Sequence, residues 1–194
     1  MLRRSSLLVL MPAIFLAVPA MARAQAANPG LEKTEKGFKH AASGTEFIIP
    51  EKWQALQPRP LPNGVSVGID WPNPRIAVTL YWVPLENRTL NDFVRLKPEG
   101  PNNSYGQEHE TLKAFYGPDK IGKPEQIKVG DRVVFKIPVM TGPDKDGSTV
   151  GVLYVWEAGL NAKDRWRIKL RASYPKKDEA EHARKVEALL GNFK

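Results

Sequence analysis

No cysteine occurs anywhere in the 194 residues. This excludes disulfide staples, a thiol nucleophile, Cys-ligated metals and the lipid-bearing Cys of a bacterial lipoprotein. Histidine is nearly as scarce. The three present, His40, His109 and His182, stand far apart and without a metal-ligand spacing. Glu108-His109-Glu110 is compact, but neighbours on a helix point in different directions, so these side chains are expected to be solvated rather than to share a ligand. Catalytic signatures are missing too: there is no Gly-x-Ser-x-Gly elbow, P-loop or dinucleotide fingerprint. Asp144-Lys145-Asp146-Gly147 opens like a calcium loop but lacks the third acidic position and the distal Glu. A hairpin turn explains it more simply. No catalytic residue, metal site or cofactor is therefore assigned.

The longest apolar stretch, residues 7–20, is broken by Pro12 and Pro19 and is too short to span a bilayer, which takes about 20 residues. It follows Arg3-Arg4 and precedes two small-x-small sites, Ala22-Arg23-Ala24 and Ala24-Gln25-Ala26. That order of regions is a secretory signal peptide over residues 1–26, cleaved near Ala24 or Ala26. Arg3-Arg4 matches a twin-arginine motif poorly, so the general secretory route is expected. The mature chain is expected to be soluble, without a transmembrane segment, and periplasmic or secreted. Residues 1–26 hold three Arg and no acid. Removing them lowers Lys+Arg from 29 to 26 against 21 acids, and the net charge from +8 to +5.

What remains has the length of one domain. Residues 27–37 read as a flexible leader and residues 38–194 as a single α+β domain. Residues 44–49 are an apolar run ending at Pro50, and 57–64 are a proline-rich loop closing in Asn63-Gly64. Strands are expected at 65–70, 75–83, 131–139 and from 165 onward, where apolar and polar residues alternate, and at 149–157. The segment 149–157 is apolar on both faces and so is expected to be central. Residues 141–148 carry the turn residues of a hairpin. Helices are expected at 89–96, 108–116 and 176–190. The last has Asp178, Glu179 and Glu181 at its start and Gly191 at its end.

The functional content lies in charge. Arg165, Arg167, Lys169 and Arg171 alternate with Trp166, Ile168, Leu170 and Ala172. Side chains two apart on a strand stand about 6.6 Å from each other, so these four form a cationic ladder. Arg132 and Lys136 show the same polarity on their strand, and Arg75 on another. If those strands are neighbours, one sheet face would attract an anion, an acidic protein or an envelope component. The competing reading has the ladder solvated, or covered by an acidic helix face at Glu179, Glu181 and Glu187. Nucleic acid is not expected, since no stacking aromatics interleave with the charges.

Three short segments carry a resemblance. They are Phe47-Ile48-Ile49-Pro50-Glu51-Lys52-Trp53, then Thr89-Leu90-Asn91-Asp92-Phe93, and Leu170-Arg171-Ala172-Ser173-Tyr174-Pro175 leading to a helix that closes in Leu189-Leu190-Gly191-Asn192-Phe193. In these the chain resembles the PsbP-like superfamily of exported domains, over roughly residues 38–194. The resemblance implies an antiparallel sheet flanked by helices (an α-β-α sandwich) and a non-enzymatic binding or assembly role, with no functional residues to carry over. Two other functions stand beside it. One is a small exported hydrolase or lyase using carboxylates and a His, with Glu108, His109 and Glu110 as its cluster. The other is a small-ligand carrier, which needs an apolar pocket between the sheet and the last helix. Neither partner nor oligomeric state follows from the sequence.

Overall fold

Strict alternation of large apolar side chains leaves long segments no option but to bury one face, and a broad sheet is the result. The computed structural model describes residues 30–73, 75–85, 112–114, 117–144, 147–161 and 164–194. Eleven strands are present among them: β1 (Leu31–Lys33), β2 (Gly37–His40), β3 (Thr45–Ile48), β4 (Gln54–Ala55), β5 (Arg59–Leu61), β6 (Gly64–Pro72), β7 (Arg75–Pro84), β8 (Glu125–Val129), β9 (Arg132–Asp144), β10 (Gly147–Gly159) and β11 (Arg165–Pro175). The helix α1 (Glu179–Leu190) closes the chain. Leu112–Ala114 is also helical. The expected helix at 89–96 and most of that at 108–116 lie outside the described residues.

Eight strands make one antiparallel sheet in the order β4-β6-β7-β11-β10-β9-β8, with β5 also pairing β6. β1, β2 and β3 make a separate three-stranded sheet. The large sheet buries apolar side chains on both faces. On one face, Val67, Leu80, Leu170 and Tyr154 line up across β6, β7, β11 and β10 by register. Here α1 packs through Val186, Leu189 and Leu190, all essentially inaccessible. On the other face Phe135, Ile137, Val139, Leu153 and Val155 cluster with Leu85 and Leu112. Each such side chain, fully buried, contributes about 1.5–3 kcal/mol. β10 feeds both clusters, which is why its sequence is apolar on both faces.

The three-stranded sheet lies over the end of the α1 face. Its core contribution is Leu31, Phe38 and Phe47, and Phe47 forms a bridge with Phe193. Residues after α1 run along β3: the Ile48 N–H donates to the Asn192 carbonyl (3.0 Å), and Glu46 and Lys194 exchange backbone hydrogen bonds at 3.0 and 2.8 Å. Phe193 sits against Trp156 (ring centroids 4.8 Å) and Phe47 (4.7 Å), so the C-terminal segment ties the small sheet to the large one. Gly37 permits this packing, since a Cβ there would lie 1.9 Å from the Phe47 carbonyl oxygen.

Several elements differ from the sequence expectations. Part of the expected leader is structured, because Leu31 is buried in β1 and β1 pairs with β2. The proline-rich loop contains β5, whose Leu61 pairs with Gly64 across the Pro62-Asn63 turn. Much of the expected connection at 141–148 is strand, with Asp144 paired to Gly147 as a hairpin requires; the two residues between them lie outside the described residues. α1 starts at Glu179 rather than 176, with Asp178 as its N-cap in the left-handed region (φ 59°). The α+β class stands. Of the helix-flanked sandwich, the described residues show α1 on one face and the single helical turn at Leu112–Ala114 on the other.

Candidate partner-binding face

Antiparallel register decides which of the seven predicted cations share a face. On β11, Arg167 stands opposite Val83 of β7 and Glu157 of β10, Lys169 opposite Tyr81 and Val155, and Arg171 opposite Thr79 and Leu153. These residues, with Arg165, lie on the face away from α1. Arg75 has the same orientation on β7, sharing the parity of Ala77, Thr79 and Tyr81. Five of the predicted residues are thus brought to one side of the sheet.

Arg132 and Lys136 are not among them. Lys136 pairs with Tyr154, whose other neighbour is Leu170, and this row faces α1. Lys136 Nζ lies 2.8 Å from Glu187 Oε1, which also accepts from the Tyr154 hydroxyl at 3.2 Å. Burial first, then the Glu187 charge, drives the Tyr154 pKa well above the usual tyrosine range. Arg132 Nη2 donates to the carbonyl oxygens of Leu190 (2.7 Å) and Phe193 (3.2 Å), and its guanidinium lies 6.0 Å from the Trp156 ring. Burial lowers the Arg132 pKa. Both cations fasten the helix to the sheet. The placement of these two on a common cationic face with the β11 ladder is corrected accordingly: β9 turns its apolar set toward the Leu85–Leu112 cluster, so its polar set faces the helix.

The expected acidic cover is corrected for the same reason. α1 lies on the opposite face from the ladder, with Glu187 spent on Lys136 and Tyr154, and Glu181 on Lys185 at 2.6 Å. The ladder has a different carboxylate. Glu157, its side chain 5% exposed, is ion-paired with Arg165 and directly opposite Arg167. Sequence reasoning passed over it, though a lone acid in an otherwise apolar strand beside a cationic one was a signal. Lys169 Nζ is 5.8 Å from the Tyr81 ring centroid. Arg75 is 3.6 Å from Asp70 and largely exposed. Arg165, Arg167 and Lys169 are half-buried and Arg171 is exposed, and the last three of the four are also engaged within the molecule. The ladder is a graded surface, sheltered toward Arg165 and open at Arg171.

The two described histidines serve the fold. His40 is fully buried between Trp82 (centroids 5.9 Å, stacked) and Trp166 (4.3 Å, edge-on). Its Nδ1 accepts from the Ser43 N–H and lies 2.8 Å from the Ser43 hydroxyl. That hydroxyl is 2.7 Å from Thr45 Oγ1, which in turn accepts from the Trp82 indole at 2.9 Å. Buried His182 has Nδ1 3.2 Å from the Pro175 carbonyl. His109 and its two glutamates lie outside the described residues. Among the described residues no three His, Asp or Glu side chains gather as a metal site, and no helix is long and apolar enough to cross a membrane.

No protein-family model matches the sequence, and no curated protein matches it. Among solved structures, the chain is similar to the solution structure of cyanobacterial PsbP (CyanoP) from Synechocystis sp. PCC 6803. The two share 13% identity with a TM-score of 0.55, covering 91% of this chain and 98% of that one. The likeness spans nearly the whole of both chains: this protein has a PsbP-like fold.

Proposed function

We propose that this chain is an exported, non-enzymatic binding or assembly protein of the cell envelope, released as a soluble domain once residues 1–26 are removed. The observation that carries the reading is the PsbP-like fold over 91% of the chain, a fold whose resemblance in sequence already implied accessory rather than catalytic work. The β11 ladder is the surface best suited to meet an acidic partner. Its open end, Arg171, continues a row of like charge through Lys169 and Arg167, and such a row raises the local concentration of anionic groups and speeds their encounter. The interior between the sheet and α1 is filled by Val186, Leu189, Leu190 and Tyr154, which speaks against a carrier's pocket there.

Co-purification from an envelope extract tests this reading. An acidic component is expected to be retained at low salt and weakened at physiological salt, because exposed charges are screened. The double variant R167E/K169E is expected to lose it. Retention unchanged in that variant removes the ladder from the reading, and no component above background at either salt removes the binding role itself.

A further inference from the structure

The two edges of the large sheet are built differently. A two-residue turn is closed by a hydrogen-bonded pair, and hydrogen-bonded and non-hydrogen-bonded pairs then alternate along an antiparallel ladder. On β5, where Leu61 pairs with Gly64, residues 59 and 61 point their backbone groups at β6. The outward position of β5 is 60, flanked by 58 and 62, and all three are proline. β5 therefore has no outward donor, the usual guard against another strand, and β4, which shares this edge, is only two residues long.

β8 forms the opposite edge and lacks this guard. Val129 pairs with Arg132 across Gly130-Asp131, so Glu125, Ile127 and Val129 direct their backbone groups at β9. Gln126 and Lys128 direct an N–H and a C=O each away from the sheet. Both residues are exposed, and among the described residues nothing pairs with this edge.

We propose that the β8 edge binds a second copy of this chain, strand to strand and antiparallel, about a two-fold axis at Ile127. In that register Gln126 pairs with Lys128 of the second copy and the reverse, so every outward N–H and C=O of both residues is satisfied. Charge selects the same register. Lys128 meets a glutamine, Glu125 meets Val129, and the flanking Lys123 lies along the edge toward Asp131 of the other copy, so no two like charges stand opposite each other. A shift of one residue to centre on Lys128 sets Lys128 against Lys128 and Glu125 against Asp131, and like charges directly opposite each other are unfavourable. A shift the other way puts Pro124, without an N–H, opposite Lys128. Ile127, half-buried against the core, meets its own copy at the centre.

A five-residue strand is a small interface, so association is concentration-dependent. Sedimentation equilibrium of the full chain between about 10 μM and 1 mM is expected to show average mass rising from monomer toward dimer. Gln126→Glu places a carboxylate opposite Lys128 twice per dimer and is expected to tighten association about 2- to 30-fold. Gln126→Lys is expected to loosen it by a similar factor. Lys128→Pro removes an outward donor without touching a β8–β9 hydrogen bond, and is expected to leave a folded monomer. A chain that is monomeric at every concentration overturns the proposal. So does a dimer whose constant is unmoved, or moved in one direction, by both Gln126 variants.

Discussion

One Arg132 nitrogen, Nη2, donates to two carbonyl oxygens that belong to different parts of the chain's end, Leu190 in α1 and Phe193 beyond it. The last carbonyls of a helix have no partner within the helix. Arg132 supplies one, from a strand four places removed from β6 in the sheet, and at the same time pins the segment that carries Phe193 into the aromatic cluster.

Replacing Arg132 by Met keeps the apolar stem and removes both bonds. The expected loss is about 1.5–3 kcal/mol, the worth of hydrogen bonds to a charged donor with their acceptors left buried. Urea denaturation followed by circular dichroism measures it. Lys at this position reaches as a point charge rather than a fork, so R132K is expected to recover only part of the loss. Equal stability of R132M and the parent would mean that the carbonyls are satisfied by water.

Thr45 holds the Trp82 indole N–H on one side and Ser43 on the other, all three buried. Thr45→Val preserves shape but leaves the indole donor without its acceptor. A cost of about 1–3 kcal/mol is expected, against a smaller one for Thr45→Ser, which keeps the hydroxyl. The denaturation midpoints of the two variants decide it, and T45S falling as far as T45V would assign the effect to the lost methyl.

Tyr154 and Tyr174 make the fold alkali-sensitive. Burial, followed by the charges of Glu179 and Glu187, pushes the Tyr174 hydroxyl up to about 12, and Tyr154 is raised further by burial and Glu187. In the unfolded chain a tyrosine titrates near 10. Above that pH the unfolded chain sheds protons that the folded one retains, so stability falls as pH rises. The contribution is fully present below pH 10 and declines above it by about 1.4 kcal/mol per pH unit for each tyrosine still protonated. Urea midpoints at pH 8 and pH 11 are expected to show this decline. It should be shallower in Tyr154→Phe, and an identical slope in that variant would locate the sensitivity elsewhere.

The long strands and α1 were legible because their periods are strong. β6, β7 and β11 follow the pattern read from the residues, Asp144 and Gly147 pair as the hairpin reading asked, and the apolar character of β10 on both faces foretold its interior place. β1, β4 and β8 were not legible. They are two to five residues long and mostly polar, and form because a neighbouring strand offers hydrogen bonds, which no local pattern records. The candidate site divides the same way. The ladder on β11 is local to one strand and was read correctly as sharing one side. Adding Arg132 and Lys136 to it required comparing different strands.

Alternation with a period of two determines which residues of one strand share a side, and residue chemistry determines that Arg165, Arg167, Lys169 and Arg171 form a row of like charge. Those facts belong to the sequence alone, as does the absence of cysteine and everything it excludes. Only the tertiary structure decides which side of one strand continues into which side of the next, because register is a relation between segments distant in sequence. Tyr154 shows the result: paired with Leu170 on one flank and Lys136 on the other, it turns an expected surface lysine into an anchor for the helix.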